Sequence, residues 1–335
     1  MTDTVELHHA RSMAAPGLCA RGGNLYVAWS DHHQQPQQRE LHTLRSSDGG
    51  AGWDHKASLG ETSEHGPAIC EFNGRLYIAW TGTHGGAHLN VTSTPDGSSF
   101  SPQSKVTLKD TASAFGPALT AFNNRLYLAW VDHDSPHIFI RSSANGTSFD
   151  VELEPLNRPS IGAPALQVAH TGSSPSGDPG LLLLAWTDLE HRMRIAGSKD
   201  GLNFRLGGGP IDGETSEYGP ALLTAQLAPS TASRVYIAWT GTGPRHTINT
   251  MPSDDPEKFS NGFNLITKQT FDNARSLDGP SLTGLFNDAQ PKFFMGYTQA
   301  ADHHLKVDPW QPPGRELRAR FAGREKAFDP PESGP

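Results

Sequence analysis

The sequence predicts an all-β protein folded as a six-bladed β-propeller, with four antiparallel strands per blade and the ring closed by the N-terminal strand. Three observations carry this. An apolar run ending in an aromatic residue recurs about every fifty residues. The string Ser-x-x-(Gly/Ala)-Pro precedes every run, and the first apolar stretch of the chain has no module in front of it.

The runs are Leu25-Tyr26-Val27-Ala28-Trp29, Leu76-Tyr77-Ile78-Ala79-Trp80, Leu126-Tyr127-Leu128-Ala129-Trp130, Leu182 to Trp186, Val235-Tyr236-Ile237-Ala238-Trp239 and Phe293-Phe294-Met295-Gly296-Tyr297. Five residues of this aliphatic and aromatic content are too short for a helix and suit a buried strand. The spacing suits one four-stranded blade per repeat. The 35 glycines and 26 prolines fit many short strands joined by tight turns.

The loop string runs from Ser12, Ser63, Ser113, Ser160, Ser216 and Ser276 to Pro16, Pro67, Pro117, Pro164, Pro220 and Pro280. Its small residue permits close approach, and its proline starts an innermost strand where no ladder donor is needed. Leu59, Leu108, Leu156, Ile211 and Phe271 stand four or five residues before a serine and close fourth strands. Leu7 occupies the same place before Ser12, whereas the sixth unit has strands around Pro280, Phe293 and Leu305 and then runs into proline. Residues 4–9 are therefore expected to supply the last blade's fourth strand and remove two open edges. Residues 1–307 are read as the propeller. Residues 308–335, with Arg315, Arg318, Arg320 and Arg324 and a Pro-rich end, are read as an extension that is partly disordered.

A formal charge of −8 and a pI near 6.0 argue against nucleic acid or an anionic membrane as partner. The N-terminus shows no signal peptide, and the longest apolar run, Gly180 to Trp186, is too short to span a bilayer, so a soluble cytoplasmic protein is expected. Cys19 and Cys70 each follow a loop proline by three residues and read as small core residues. No metal or other cofactor is expected. The sequence carries no signal of oligomeric state.

Beyond each run lies a polar turn. In the first unit it reads Ser46-Ser47-Asp48-Gly49-Gly50-Ala51-Gly52-Trp53, matching Ser-x-Asp-x-Gly-x-x-Trp; shortened versions surround Asp96, Asn145 and Asp200, and Ser253-Asp254-Asp255-Pro256 in the fifth unit only suggests another. On these residues the chain resembles the Asp-box propellers, a fold group that includes sialidases and several lectins. The likeness extends from about residue 5 to about residue 307 and bears on fold more than on function. It implies that the turns are structural clips, with the Asp or Asn accepting bonds from the hairpin backbone. It also implies what a sialidase would need: three arginines on a carboxylate, an acidic acid/base residue and a tyrosine paired with glutamate. The sequence departs from this pattern, lacking an Arg-Ile-Pro start and holding Met13 and Ala14 where an arginine would be wanted.

Specificity is expected where otherwise repeated loops vary. The two positions inside Ser-x-x-(Gly/Ala)-Pro are Met13/Ala14, Glu64/His65, Ala114/Phe115, Ile161/Gly162, Glu217/Tyr218 and Leu277/Asp278. They should ring the mouth of the axial channel. Glu64, His65, Phe115, Glu217, Tyr218 and Asp278 would make a mixed polar and aromatic site for a small hydroxylated or amphipathic molecule. Glu64 and Glu217, three blades apart, should face one another across the axis. Eight residues before each turn Asp or Asn lies a second set, Glu40, His88, His137, Arg192 and His246, with His304 equivalent; these either contact ligand or hold the neighbouring loop. Histidines on separate blades are too far apart to share one metal ion. The repeated tryptophans are read as wedge fillers between blades rather than sugar platforms.

Three functions fit. The first, preferred here, is lectin-like carbohydrate binding through pockets on the inter-blade-loop face. The second is a non-sialidase glycosidase, with Glu64 and Glu217 as paired carboxylates. The third is a cofactor-free catalyst of cyclisation, isomerisation or proton transfer on a small, largely apolar metabolite, using Glu64, His65, Glu217 or Tyr218. Shallow repeated sites between blades favour a lectin, and one deep asymmetric axial cavity favours catalysis. The expected partner is a glycan or small molecule.

Overall fold

Each apolar run becomes the second strand of a blade, flanked by strands on both edges. In Arg75–Thr81, for example, Leu76, Ile78, Ala79 and Trp80 are completely buried. The computed structural model describes residues 5–149, 151–153, 157–171, 180–225, 233–286 and 291–311, which form six four-stranded antiparallel sheets. Blade 1 consists of Gly17–Arg21, Asn24–Ser30, Glu40–Ser46 and Asp54–Thr62, in that spatial order, and blades 2 to 5 repeat it. The first strands touch in ring order, and that of blade 6, Ser281–Leu285, touches that of blade 1. They therefore surround the axis, and the loop string enters the ring at the head of each one.

Blade 6 is completed by the N-terminal strand Val5–Arg11, paired antiparallel with His304–Trp310. Here the boundary expected at residue 307 is corrected. Asp308, Pro309 and Trp310 pair with Met295, Phe294 and Phe293, because the Trp310 ring packs edge-on against Tyr236 and beside Phe293 while the Tyr297 hydroxyl donates to Asp308 at 2.8 Å. Leu156 and the four tail arginines lie outside the described residues, as does the expected disordered end.

The polar turns on the opposite end of the blades are self-contained clips. Asp48 accepts from the Ser46 hydroxyl and the Gly52 N–H, Asp96 from the N–H groups of Ser98 and Ser99, and Asp200 from those of Leu202 and Asn203. These bonds favour the ionised form and hold all three carboxyls below the usual range. Gly97 takes φ +79°, and a Cβ there would lie 2.5 Å from the Tyr26 ring of the preceding blade, so the turn also packs against its neighbour.

Blade 5 departs from the pattern. Where Ser253-Asp254-Asp255-Pro256 suggested another turn, the 3-10 segment Pro256–Gly262 instead reaches across to blade 4. Its Ser260 hydroxyl accepts from the Ile195 N–H at 3.0 Å, and Phe259 covers Gly197 and Gly207. The segment extends the cover of a sheet whose own fourth strand, Arg205–Leu206, is only two residues long. Among the described residues no helix is long and apolar enough to cross a membrane.

Candidate functional site

The loop string earns its serine through a local bond. The serine hydroxyl donates to the carbonyl two residues on, from Ser12 to Ala14, Ser63 to His65, Ser113 to Phe115, Ser160 to Gly162 and Ser216 to Tyr218, at 2.8–3.0 Å. A second hydroxyl comes from the preceding blade, from the threonine after the aromatic residue. Thr81, Thr187, Thr240 and Thr298 donate at 2.7 Å to the carbonyls of Phe115, Tyr218, Asp278 and Ala14. These staples fix the backbone of the second variable position. Where glycine precedes the proline, the blades approach too closely at the axis for a side chain there: a Cβ on Gly66 would lie 2.0 Å from the Ala15 carbonyl oxygen, and one on Gly219 2.1 Å from that of Ala163.

This frame encloses an axial cavity of about 350 Å³. Its mouth carries His65, Phe115, Tyr218 and Asp278 from the second variable positions, with Ile161 and Glu217 from the first. Deeper in, two residues after each proline, Leu18, Ile69, Leu119, Leu166, Leu222 and Leu282 form an aliphatic collar. Blades three apart face one another in a six-fold ring, so His65 opposes Tyr218, Phe115 opposes Asp278, and the two small residues Ala14 and Gly162 oppose each other. The opening is thus widest along the line from blade 1 to blade 4. Its two walls are His65 with Phe115, their rings 6.1 Å apart, and Tyr218 with Asp278.

The walls differ electrostatically. Asp278 accepts from the Ala15 N–H at 2.8 Å and its neighbour Gly279's N–H at 2.7 Å, tying blade 6 to blade 1 across the closing seam. Burial pushes its carboxyl upward despite these bonds and the nearby His65. Burial pushes the His65 imidazole downward, against the pull of Glu64 and Asp278. Tyr218 is raised, first by burial and then by the negative charge of Glu217 and Asp278. No lysine or arginine lines this cavity among the described residues.

Glu64 requires a correction. It does not line the axial cavity and so does not pair with Glu217 inside it. Instead it points, exposed, into a separate rim hollow of about 380 Å³ together with Thr83, Ser113 and His133; His65 borders both spaces. The second set of predicted residues is not brought together either. His88 holds the neighbouring inter-blade loop by bonding the Thr111 carbonyl at 2.6 Å, Arg192 pairs with Glu190 and Asp188 and His304 with Asp302 at 3.0 Å within their own loops, and Glu40 bonds Ser58 on the adjacent strand. His137 holds a bridge opposite Pro159. Only His246 approaches the site, its ring meeting that of Tyr218 edge-on at 6.4 Å. The tryptophans are wedge fillers: Trp29, Trp80, Trp186 and Trp239 are fully buried, and Lys56, Lys105 and Lys268 lie over three of them. Two features went unread in the sequence, the threonine staples and the aliphatic collar. Both were available there as fixed offsets, one residue after the aromatic and two after the proline.

No family model matches the chain, and comparison with curated proteins finds no relative. Among solved structures the fold is shared with a sialidase, an α-L-arabinofuranosidase and an α-L-arabinanase. A Hadza microbial sialidase, Hz136, superposes with a TM-score of 0.70 at 15% identity over 93% of this chain and 69% of its own. A mutant of the α-L-arabinofuranosidase Arb93A of Fusarium graminearum, in complex with an iminosugar inhibitor, gives 0.68 at 12% identity over 92% and 96%. The α-L-arabinanase of Penicillium chrysogenum with arabinobiose gives 0.68 at 11% over 93% and 97%. At these identities the likeness establishes the fold.

Proposed function

We propose that the chain is a carbohydrate-binding propeller of the Asp-box kind, lectin-like in that it holds its ligand without a covalent step, and that it takes one saccharide unit in the axial cavity. The observation that carries this is the composition of that cavity. Two aromatic rings, Phe115 and Tyr218, stand on opposite walls, and Asp278, Glu217 and His65 supply hydrogen-bonding groups between them. Its volume falls at the small end of the roughly 300–1,000 Å³ range of ligand pockets, enough for a small ligand in a single place. Sialic acid fits poorly, because its carboxylate would meet carboxylates and no cation.

One observation favours a glycosidase of another specificity: Glu217 and Asp278 sit on adjacent blades in unlike surroundings, one exposed and one pushed toward its protonated form, the asymmetry that acid/base pairs need. Isothermal titration with a panel of mono- and disaccharides, run beside turnover of aryl glycosides, tests both. Binding that is lost in Tyr218→Ala and Phe115→Ala, without turnover, supports the lectin-like reading. Turnover abolished by Asp278→Asn replaces it with the glycosidase. Neither binding nor turnover refutes both.

A further inference from the structure

Resting on the axial-site reading, we infer that the saccharide unit this cavity selects carries a protonated amine: the ammonium sits at the corner formed by Asp278, Tyr218 and Glu217, and the less polar face of the ring lies against Phe115 and Ile161. The inference begins from a missing countercharge. Asp278 is drawn into the seam between blades 6 and 1, where its carboxylate oxygens each receive one backbone N–H. Two such bonds use half of the roughly four lone-pair sites of a carboxylate and bring no net positive charge. A carboxylate drawn out of water is ordinarily matched by a cation; among the described residues none lines the space that the half-buried Asp278 borders, and the same deficit is what pushes its carboxyl upward, so an ammonium there would restore the ionised form.

The neighbouring groups do not fill that role. His65, the nearest titratable base, is held toward its neutral form by burial. Arg39 is committed at the rim, donating to the backbone carbonyls of His33 and Glu64. Glu217 adds a second carboxylate to the same side of the mouth, beside Tyr218. An ammonium placed there gains two opposite charges and an aromatic face, an arrangement suited to cations. Across the axis the repeat offers no acidic group. Phe115 occupies the position that Asp278 holds three blades away, and Ile161 stands next along that wall. The cavity is therefore polarised: anionic toward blades 5 and 6, apolar toward blades 3 and 4.

Matched pairs test this: D-glucosamine against D-glucose and D-galactosamine against D-galactose, with D-glucuronate as the anionic control, titrated into the whole protein at about pH 6, where the amines are protonated and ordinary carboxylates ionised. At least one amine is expected to bind about ten- to hundredfold more tightly than its neutral parent, the worth of a hydrogen bond to a charged group, with glucuronate weakest. Asp278→Asn should erase the preference while neutral binding persists. Because Asp278 also holds the seam, Glu217→Gln is the second variant: exposed and free of a structural bond, it should reduce the preference several-fold without altering stability. Equal binding of amine and parent, or a preference unchanged in both variants, overturns this inference and leaves the axial site standing. Absence of binding by all five sugars overturns the inference and the axial-site reading together.

Discussion

Thr240→Val should loosen the site more than the same change at Thr187, although both threonines make the same inter-blade bond. The difference lies in redundancy. Tyr218's carbonyl accepts from Thr187 at 2.7 Å and from Ser216 at 3.0 Å, so losing the threonine leaves it satisfied. Asp278's carbonyl accepts from Thr240 at 2.7 Å, while the Ser276 hydroxyl accepts from the Asp278 N–H instead of donating to its carbonyl. Valine preserves shape and removes the donor. At Thr187 the loss is one neutral hydrogen bond, about 0.5–1.5 kcal/mol; at Thr240 it strands a carbonyl as well, about 1–3 kcal/mol. The chain supports this accounting at two other seams. Val131 and Ser30 occupy the threonine position in blades 3 and 1, and the carbonyls they leave unstapled, those of Gly162 and His65, are served by Ser160 and Ser63. Urea unfolding of the two variants, compared at equal slope, measures the difference. A Thr187→Val loss equal to or larger than that of Thr240→Val would refute the staple argument. Since Thr240 fixes Asp278, the variant should also weaken ligand binding.

Gly219→Ala places a methyl 2.1 Å from the Ala163 carbonyl oxygen and should destabilise by at least the ~1–3 kcal/mol of an overpacked contact, read by thermal denaturation against wild type. Burial pushes the Cys19 thiol up to about 12 and raises Cys70 as well, so both should react with a thiol reagent only on unfolding; rapid labelling of the native protein at about pH 8 would contradict their placement. Asp278, raised in the folded state, favours folding below the ordinary carboxylate range and loses that contribution as pH rises through its raised value. Wild type should therefore lose stability relative to Asp278→Ala as pH rises above the ordinary carboxylate value of about 4, a trend that urea midpoints measured upward from there either show or exclude. Asp200 runs the other way: its lowered carboxyl supports the fold above the ordinary carboxylate range and loses that support as pH falls toward its depressed value, so Asp200→Ala should flatten the acid limb of the same curve.

Periodicity made the architecture readable. Six aromatic ends, six serine loops and a solitary Leu7 leave little choice but a ring closed by its first strand, and Leu7 is indeed buried against Leu305 and Val307 in the last blade. The second variable loop position was also readable, because the same serine bond recurs beneath nearly every copy and the side chain above it has one direction to take. Position alone did not decide the first variable residue: Glu217 borders the axial cavity while Glu64, its match in the repeat, occupies the rim hollow. The histidine column was legible as an offset and no further. A shared offset fixes where a side chain starts, but local partners, the Thr111 carbonyl of the neighbouring loop for His88 and Asp302 of its own loop for His304, decide where it ends. The extent of blade 6 was hidden by Pro309, which reads as a strand breaker yet lies within the strand opposite Phe294.

A crystal structure of the protein soaked with its tightest-binding amino sugar tests the central claim most directly. The account places the ligand in the axial cavity, its nitrogen within hydrogen-bond reach of the Asp278 carboxylate and its ring between Phe115 and Tyr218. Ligand seated in the rim hollow beside Glu64, or between two blades with the axis left vacant, would contradict it.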